Sequence, residues 1–195
     1  MIKTKQDYLF YLEADRIALN RKKGLSAEIK QFVFPDYIWS FQRKLRKIEY
    51  YNNCRTDVIG RLFYFVLKVN FRKTSLKLGF SIPMNVFGPG LAIVHYGTIV
   101  VNPKAIVGSN CRIHPCTNIG ASGGNPNAPE IGDNVYIGPG AKIYGDIKIG
   151  NNIAIGANSS VNKSFVDNDI MIAGSPAKKI KEIDIRKIIP NAKIS

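Results

Sequence analysis

The chain has 195 residues, 45% of them hydrophobic, and sets 28 Lys and Arg against 14 Asp and Glu, for a formal net charge of +14. That length supports one or two buried cores. The longest unbroken apolar run, Leu62–Leu67, is far too short to span a bilayer. Met1–Lys23 alternates charged and apolar residues, with no continuous run of the kind a signal peptide needs.

Three cysteines, Cys54, Cys111 and Cys116, cannot all pair within one chain and show no CxxC spacing, so a reducing, cytoplasmic setting is expected. The charge is uneven. Residues 1–80 hold 17 basic against 7 acidic residues, residues 81–169 hold 5 of each, and residues 170–195 hold 6 against 2. Such basic flanks either solvate the protein or attract phosphorylated ligands, nucleic acid or an anionic membrane. No nucleic-acid motif accompanies them, and no nucleic-acid partner is expected.

Thr4-Lys5-Gln6-Asp7 reads as a capped helix start, with Tyr8, Tyr11, Leu12 and Leu19 on one face and Gly24 at the end. A short piece from Ser26 precedes Pro35. Asp36 opens a stronger amphipathic helix, with Ile38, Phe41, Leu45 and Ile48 as its apolar stripe and Arg43, Lys44, Arg46 and Lys47 mostly outside. Thr56-Asp57 caps a third helix, for which the spacing puts Ile59, Leu62, Val66 and Val69 on the core. Residues 1–73 thus form an α-helical N-terminal domain. The third helix carries the aromatic run beside Arg61, Lys68, Arg72, Lys73 and Lys77. This suits either packing on the rest of the chain or a partner subunit, or peripheral contact with a membrane.

From residue 74 the pattern changes. Ile131, Ile137, Ile143, Ile149, Ile155 and Val161 recur every six positions, and the lattice carries back through Ile119, Ile113, Val107 and Val101, slipping only at Asn125. Neither helix periodicity nor strand alternation gives this. Each hexad is one short strand plus a bend, and three close a coil of about eighteen residues. Gly and Asn (Asn134, Asn151, Asn152, Asn158) suit the bends. The expected fold is mainly β: a parallel β-helix over residues 74–177, followed by a basic tail, 178–195, in which Lys178–Lys187 forms a short helix ending near Pro190.

The hexads and the closing Gly-Ser-Pro-Ala-Lys-Lys at 174–179 resemble the left-handed β-helix of hexapeptide-repeat acyltransferases. His95, in His-Tyr-Gly-Thr-Ile-Val-Val, resembles the catalytic histidine of serine acetyltransferases, and the resemblance spans about residues 78–180. It implies acetyl-CoA as co-substrate and no metal. The thioester arm would lie near Gly120, Ala121, Gly138, Gly140 and Ala141, with Lys178 and Lys179 on the phosphates. A homotrimer with sites between subunits is also implied.

Acyl transfer to a hydroxyl needs a base, and histidine suits it. The chain has two, His95 and His114. His95 is the expected base, although the six-residue lattice extended backwards would turn it inward. His114 is read as an exposed bend residue or a substrate contact, beside Asn85 and Tyr96 as further acceptor-binding candidates. Cys116 has no neighbour in sequence to activate it.

Departures from the resemblance set the acceptor expected from sequence. Val94 stands where the family binds its acceptor's ammonium, Phe80 where it has its catalytic aspartate, and Gly123–Glu130 lacks the basic pair for the carboxylate. His95 would then need another orienting group, such as a backbone carbonyl, Asn85 or Asp57. The segments Ser81–Gly90 and His95–Asn102 also resemble acetyltransferases of capsule, O-antigen or exopolysaccharide pathways. The expected acceptor is therefore a hydroxyl of a saccharide, free or lipid-linked, at the inner membrane face. Serine O-acetylation and a non-catalytic trimeric scaffold are the alternatives. Two histidines also speak against a three-histidine zinc site of the carbonic anhydrase kind.

Overall fold

The computed structural model describes residues 1–24, 31 and 33–192; the short piece expected from Ser26 lies outside them. Among the described residues, three helices precede the coils. Helix α1 is Lys5–Ala18, opened by a capping box in which Thr4 accepts from the Asp7 N–H and Asp7 accepts from the Thr4 N–H. It ends at the left-handed Asn20, before the expected Gly24. Helix α2 is Tyr37–Cys54, capped by Asp36, and α3 is Val58–Leu78, capped by Asp57. Gly79, at φ 75°, closes α3 in a left-handed turn that side chains disfavour. Phe80 follows directly as the first strand residue, so α3 passes the expected boundary at residue 73 by one more turn.

Two sequence expectations for the helices fail. In α2 the apolar stripe is buried as expected, but Arg46 is buried with it, at 0% exposure. In α3 the helix is turned over. Ile59, Leu62, Val66 and Val69 face outward, while Gly60, Thr74 and Leu78 are buried, and Phe71 stacks on Phe41 of α2 at 5.1 Å. Both faces of α3 are apolar, so periodicity alone could not say which one the fold would cover.

The coils form three faces. One holds β1 (Phe80–Ser81), β3 (Ile99–Val101), β6 (Thr117–Gly120), β9 (Lys142–Tyr144) and β12 (Ser160–Val161). The second holds β4 (Ile106–Val107), β7 (Glu130–Ile131) and β10 (Lys148–Ile149). The third holds β2 (Ala92–Ile93), β5 (Arg112–Ile113), β8 (Tyr136–Ile137), β11 (Ala154–Ile155), β13 (Ile170–Gly174) and β14 (Ala177–Glu182). Every pairing is parallel except β13 with β14. The segment expected as a short helix from Lys178 is instead the antiparallel strand β14, with only a 3-10 turn at Ile185–Lys187.

All ten lattice residues are buried, none above 4% exposure. They stack in register, as in Val101–Ile119–Ile143–Val161. At one corner Asn110, Asn134 and Asn152, all with positive φ, pass hydrogen bonds coil to coil and end on Asp169. Asn151 does not take the left-handed turn; its side chain accepts from the Asp133 N–H.

Candidate active site

The regular step from the third face to the first is six residues, as from Ile113 to Ile119, but Ile93 to Val101 takes eight. The two extra residues make a swelling that carries His95 and Tyr96 to the surface. The inward slot that the lattice would give His95 is filled by Ile93 and Ile99, both at 0% exposure. A second swelling lies at the other edge of the first face. There Ile119 to Ile131 spans twelve residues, and the loop 121–130 projects.

The coil that leads into His95 is held by the helices. Asp15 of α1 accepts from the Gly90 and Leu91 N–H groups at 2.9 and 2.8 Å. Arg46 of α2 donates to the Phe87 and Gly88 carbonyls at 2.9 and 2.7 Å and pairs with both Asp15 and Glu49. Gln42 bonds the Leu91 carbonyl and the Ile93 N–H. Buried charge is tolerated only when its hydrogen bonds are filled in this way. The backbone from Phe87 to Ile93 is therefore fixed two residues before the histidine.

His95, His114 and Tyr136 follow one another on successive coils, with ring centroids 6.3 and 4.8 Å apart and ring planes tilted by 56° and 55°. His114 Nδ1 lies 3.0 Å from the Ile137 carbonyl, which can only accept, so Nδ1 carries the proton and Nε2 is left as an acceptor. Burial lowers the His114 pKa, and the charges of Arg112 and His95 lower it further, against the pull of that carbonyl. No carboxylate is hydrogen-bonded to His95 among the described residues. Phe80 is a core residue, edge-on to Phe41 at 5.0 Å. Asp57 is taken by Arg55 and the α3 N-terminus. Asn85 is also removed from the histidine: its N–H donates to Glu49 and its side chain pairs with Asn53. Its role is a left-handed turn at φ 64°.

The corner that carries His95 continues along the coils as a track of small residues. Gly140 N–H donates to the Pro115 carbonyl, and Gly138 and Gly156 are bonded to the next coils at Ile155 and Ile172. A Cβ on Gly140, at φ 76°, would sit 2.0 Å from Asn158 Oδ1, so this corner stays free of side chain at that level. The track reaches Ala173 and Gly174, where β13 turns back into β14 with Lys178 and Lys179 exposed. From His95 to Ala173 is four coil spacings, or about 19 Å. Gly138, Gly140, Ala141, Lys178 and Lys179 therefore share an edge with His95. Gly120 and Ala121 do not: they lie at the opposite edge, where Gly120 is bonded to Gly145. Cys116 is exposed at a left-handed bend, its N–H on Thr98 and its carbonyl taking Lys142.

Sequence reasoning overlooked Arg112. It sits in β5 between Ala92 and Tyr136, with its charge felt at His114. Its alternation with the inward Ile113 was the available signal.

The coils have the left-handed β-helix fold, and residues 128–163 match the family described as bacterial transferase hexapeptide (six repeats). The particular proteins that the chain resembles are serine acetyltransferases. It is 36% identical over 101 residues to that of Synechococcus elongatus, covering 51% of this chain and 41% of the relative. It is 37% identical over 101 residues to that of Staphylococcus aureus, covering 51% and 47%. The chain thus spans under half the length of these curated relatives. Among solved structures, the serine acetyltransferase of Brucella abortus in complex with coenzyme A superposes at a TM-score of 0.67 with 25% identity, covering 92% of this chain and 70% of that one. These relatives overturn the saccharide acceptor expected from sequence, and nothing among them points to polysaccharide chemistry. The expectation rested on missing charges in two segments; it did not count Arg112, a cation on the coil next to His95.

Proposed function

We propose that the chain is an acetyl-CoA-dependent serine O-acetyltransferase with His95 as general base. The observation that carries this is the exposed His95 swelling at the head of the small-residue track, in a chain similar to serine acetyltransferases. The serine hydroxyl loses its proton to His95 as its oxygen attacks the thioester carbonyl. Backbone N–H groups at the corner hold the tetrahedral oxyanion. The intermediate collapses by breaking the C–S bond, and the leaving CoA sulfur takes the proton back from His95. Arg112 supplies the cation for the acceptor carboxylate, and His114 Nε2, kept neutral, is positioned to accept from the acceptor ammonium.

The thioester arm lies along Gly138, Gly140 and Ala141, with Lys178 and Lys179 at the phosphates. His95 and the 121–130 loop sit at opposite edges of one face, so a homotrimer would bring a neighbour's Gly120 and Ala121 to the His95 edge. Three unpaired cysteines support a reducing, cytoplasmic compartment.

The test is release of free CoA from acetyl-CoA with serine present and absent. Serine-dependent release should fall by about 10²–10⁴ in His95→Ala, while Arg112→Ala should raise KM for serine more than it lowers kcat. Serine-independent rates, or full activity in His95→Ala, would sink the proposal.

A further inference from the structure

The outer face of α3 is apolar and uncovered among the described residues. Val58, Leu62, Phe65, Val66, Val69 and Leu76, each between 43 and 87% exposed, run down one side of the helix, opposite the buried Gly60, Thr74 and Leu78 and the half-buried Phe71. A helix that is apolar on both sides has something to cover each of them. The inner side has α2; the chain's own coils do not reach the outer one.

The charge around this face indicates what does. Within Val58–Leu78 there are five cations, Arg61, Lys68, Arg72, Lys73 and Lys77, and no acid. Arg61, Lys68 and Arg72 fall on one flank of the stripe at helical spacing. At its C-terminal end the stripe opens through Leu76 into a groove of about 1550 Å³. Among the described residues its lining includes Arg43, Lys44, Lys73 and Lys77, with Arg21 paired to Asp36 and Arg16 to Glu13. There burial, Arg43 and Lys77 push the Lys44 ammonium below the usual lysine range. Cations crowded together in this way favour an anionic occupant. A second copy would set this helix and a segment of net charge +10 against the same charge. An anionic bilayer complements both parts, taking the apolar stripe into the acyl boundary and the cations onto lipid phosphates.

We propose that the outer face of α3, with the adjoining basic groove, docks the protein peripherally on an anionic lipid bilayer. No described helix is long and apolar enough to cross a membrane, so the contact is interfacial. It stands apart from the acetyl-transfer proposal, since none of these residues belongs to the His95 site.

The full chain would be sedimented with vesicles of phosphatidylcholine alone and of phosphatidylcholine mixed with phosphatidylglycerol. Binding is expected only to the second, falling as salt rises. Leu62→Gln/Phe65→Gln/Val66→Gln and, separately, Arg61→Glu/Lys68→Glu/Arg72→Glu should each weaken it by about tenfold or more. A Phe65→Trp variant, whose fold the substitution hardly disturbs, should show a blue-shifted emission on anionic vesicles. No binding to anionic vesicles, undiminished binding by both triple variants, or an unshifted Phe65→Trp emission would overturn the proposal. So would a fall in the subunit count of Leu62→Gln/Phe65→Gln/Val66→Gln by light scattering, which would assign the face to a second copy.

Discussion

The coils and the helices of this chain are stabilised by opposite means. The coils bury a column of Ile and Val in which each residue touches a like residue above and below. They are held by area and shape, and any one level is replaceable by its neighbours. The helices add to an apolar contact, Ile38, Phe41 and Leu45 against Phe80 and its neighbours, a cluster of buried ions: Asp15, Arg46 and Glu49, with the carbonyls and N–H groups of Phe87–Leu91. That joint is specific and brittle, because removing one partner leaves charges buried alone. It also borders the candidate base, so a regular scaffold has its active corner set by the least regular contact.

The largest effect should therefore come from the joint. Arg46→Ala leaves Asp15 and Glu49 facing each other inside the protein and should cost about 3–5 kcal/mol, read from denaturant midpoints. Activity should fall along with stability, since the Phe87–Ile93 backbone loses its clamp. If Arg46→Ala unfolds with the wild-type midpoint, the contrast between the two regions is wrong. In the column, Ile137→Ala removes buried methylenes between fixed coils and should cost roughly 3 kcal/mol. Its effect on the KM for acetyl-CoA should be small, because the side chain points away from the track.

The difference between the regions also explains what could be read from sequence. The column was legible because each coil repeats the same demand at the same spacing, and ten positions answer it alike. His95 was legible as a residue, but its outward placement was not. The two-residue swelling breaks the count that identifies the coils. Arg46 looked like any basic residue on a polar face, because its partner Asp15 is 31 positions away. The α3 assignment failed for a further reason: two apolar faces leave no moment to choose between them. Arg112 was not legible because only the coil-to-coil register, Ala92 to Arg112 to Tyr136, brings it to the His95 corner.

The α3 assignment can be sharpened with a pair of substitutions on one helix. Phe71→Ala removes the stack on Phe41 and should cost about 2 kcal/mol. Val69→Ser, two residues earlier on the outer face, should fall within about 0.5 kcal/mol of wild type. The reverse order would restore the orientation that periodicity suggests.

The smallest effect concerns His114, where coil packing and site chemistry meet. Burial first, then the Arg112 and His95 charges, lower its pKa below the unfolded value of 6.5. The sign follows from proton counting. Well above 6.5 neither state is protonated there, and the contribution of the group is fully present. As pH falls through about 6.5, the unfolded chain takes up the proton before the folded one does, so stability is lost until the folded imidazole titrates too. His114→Gln should therefore show a shallower loss of stability between about pH 7 and 5 than wild type. Slopes should be compared rather than absolute values, since the substitution also removes the ring contact with Tyr136. Equal slopes would mean that His114 titrates alike in both states. The neutral Nε2 acceptor beside His95 would then lose its physical basis.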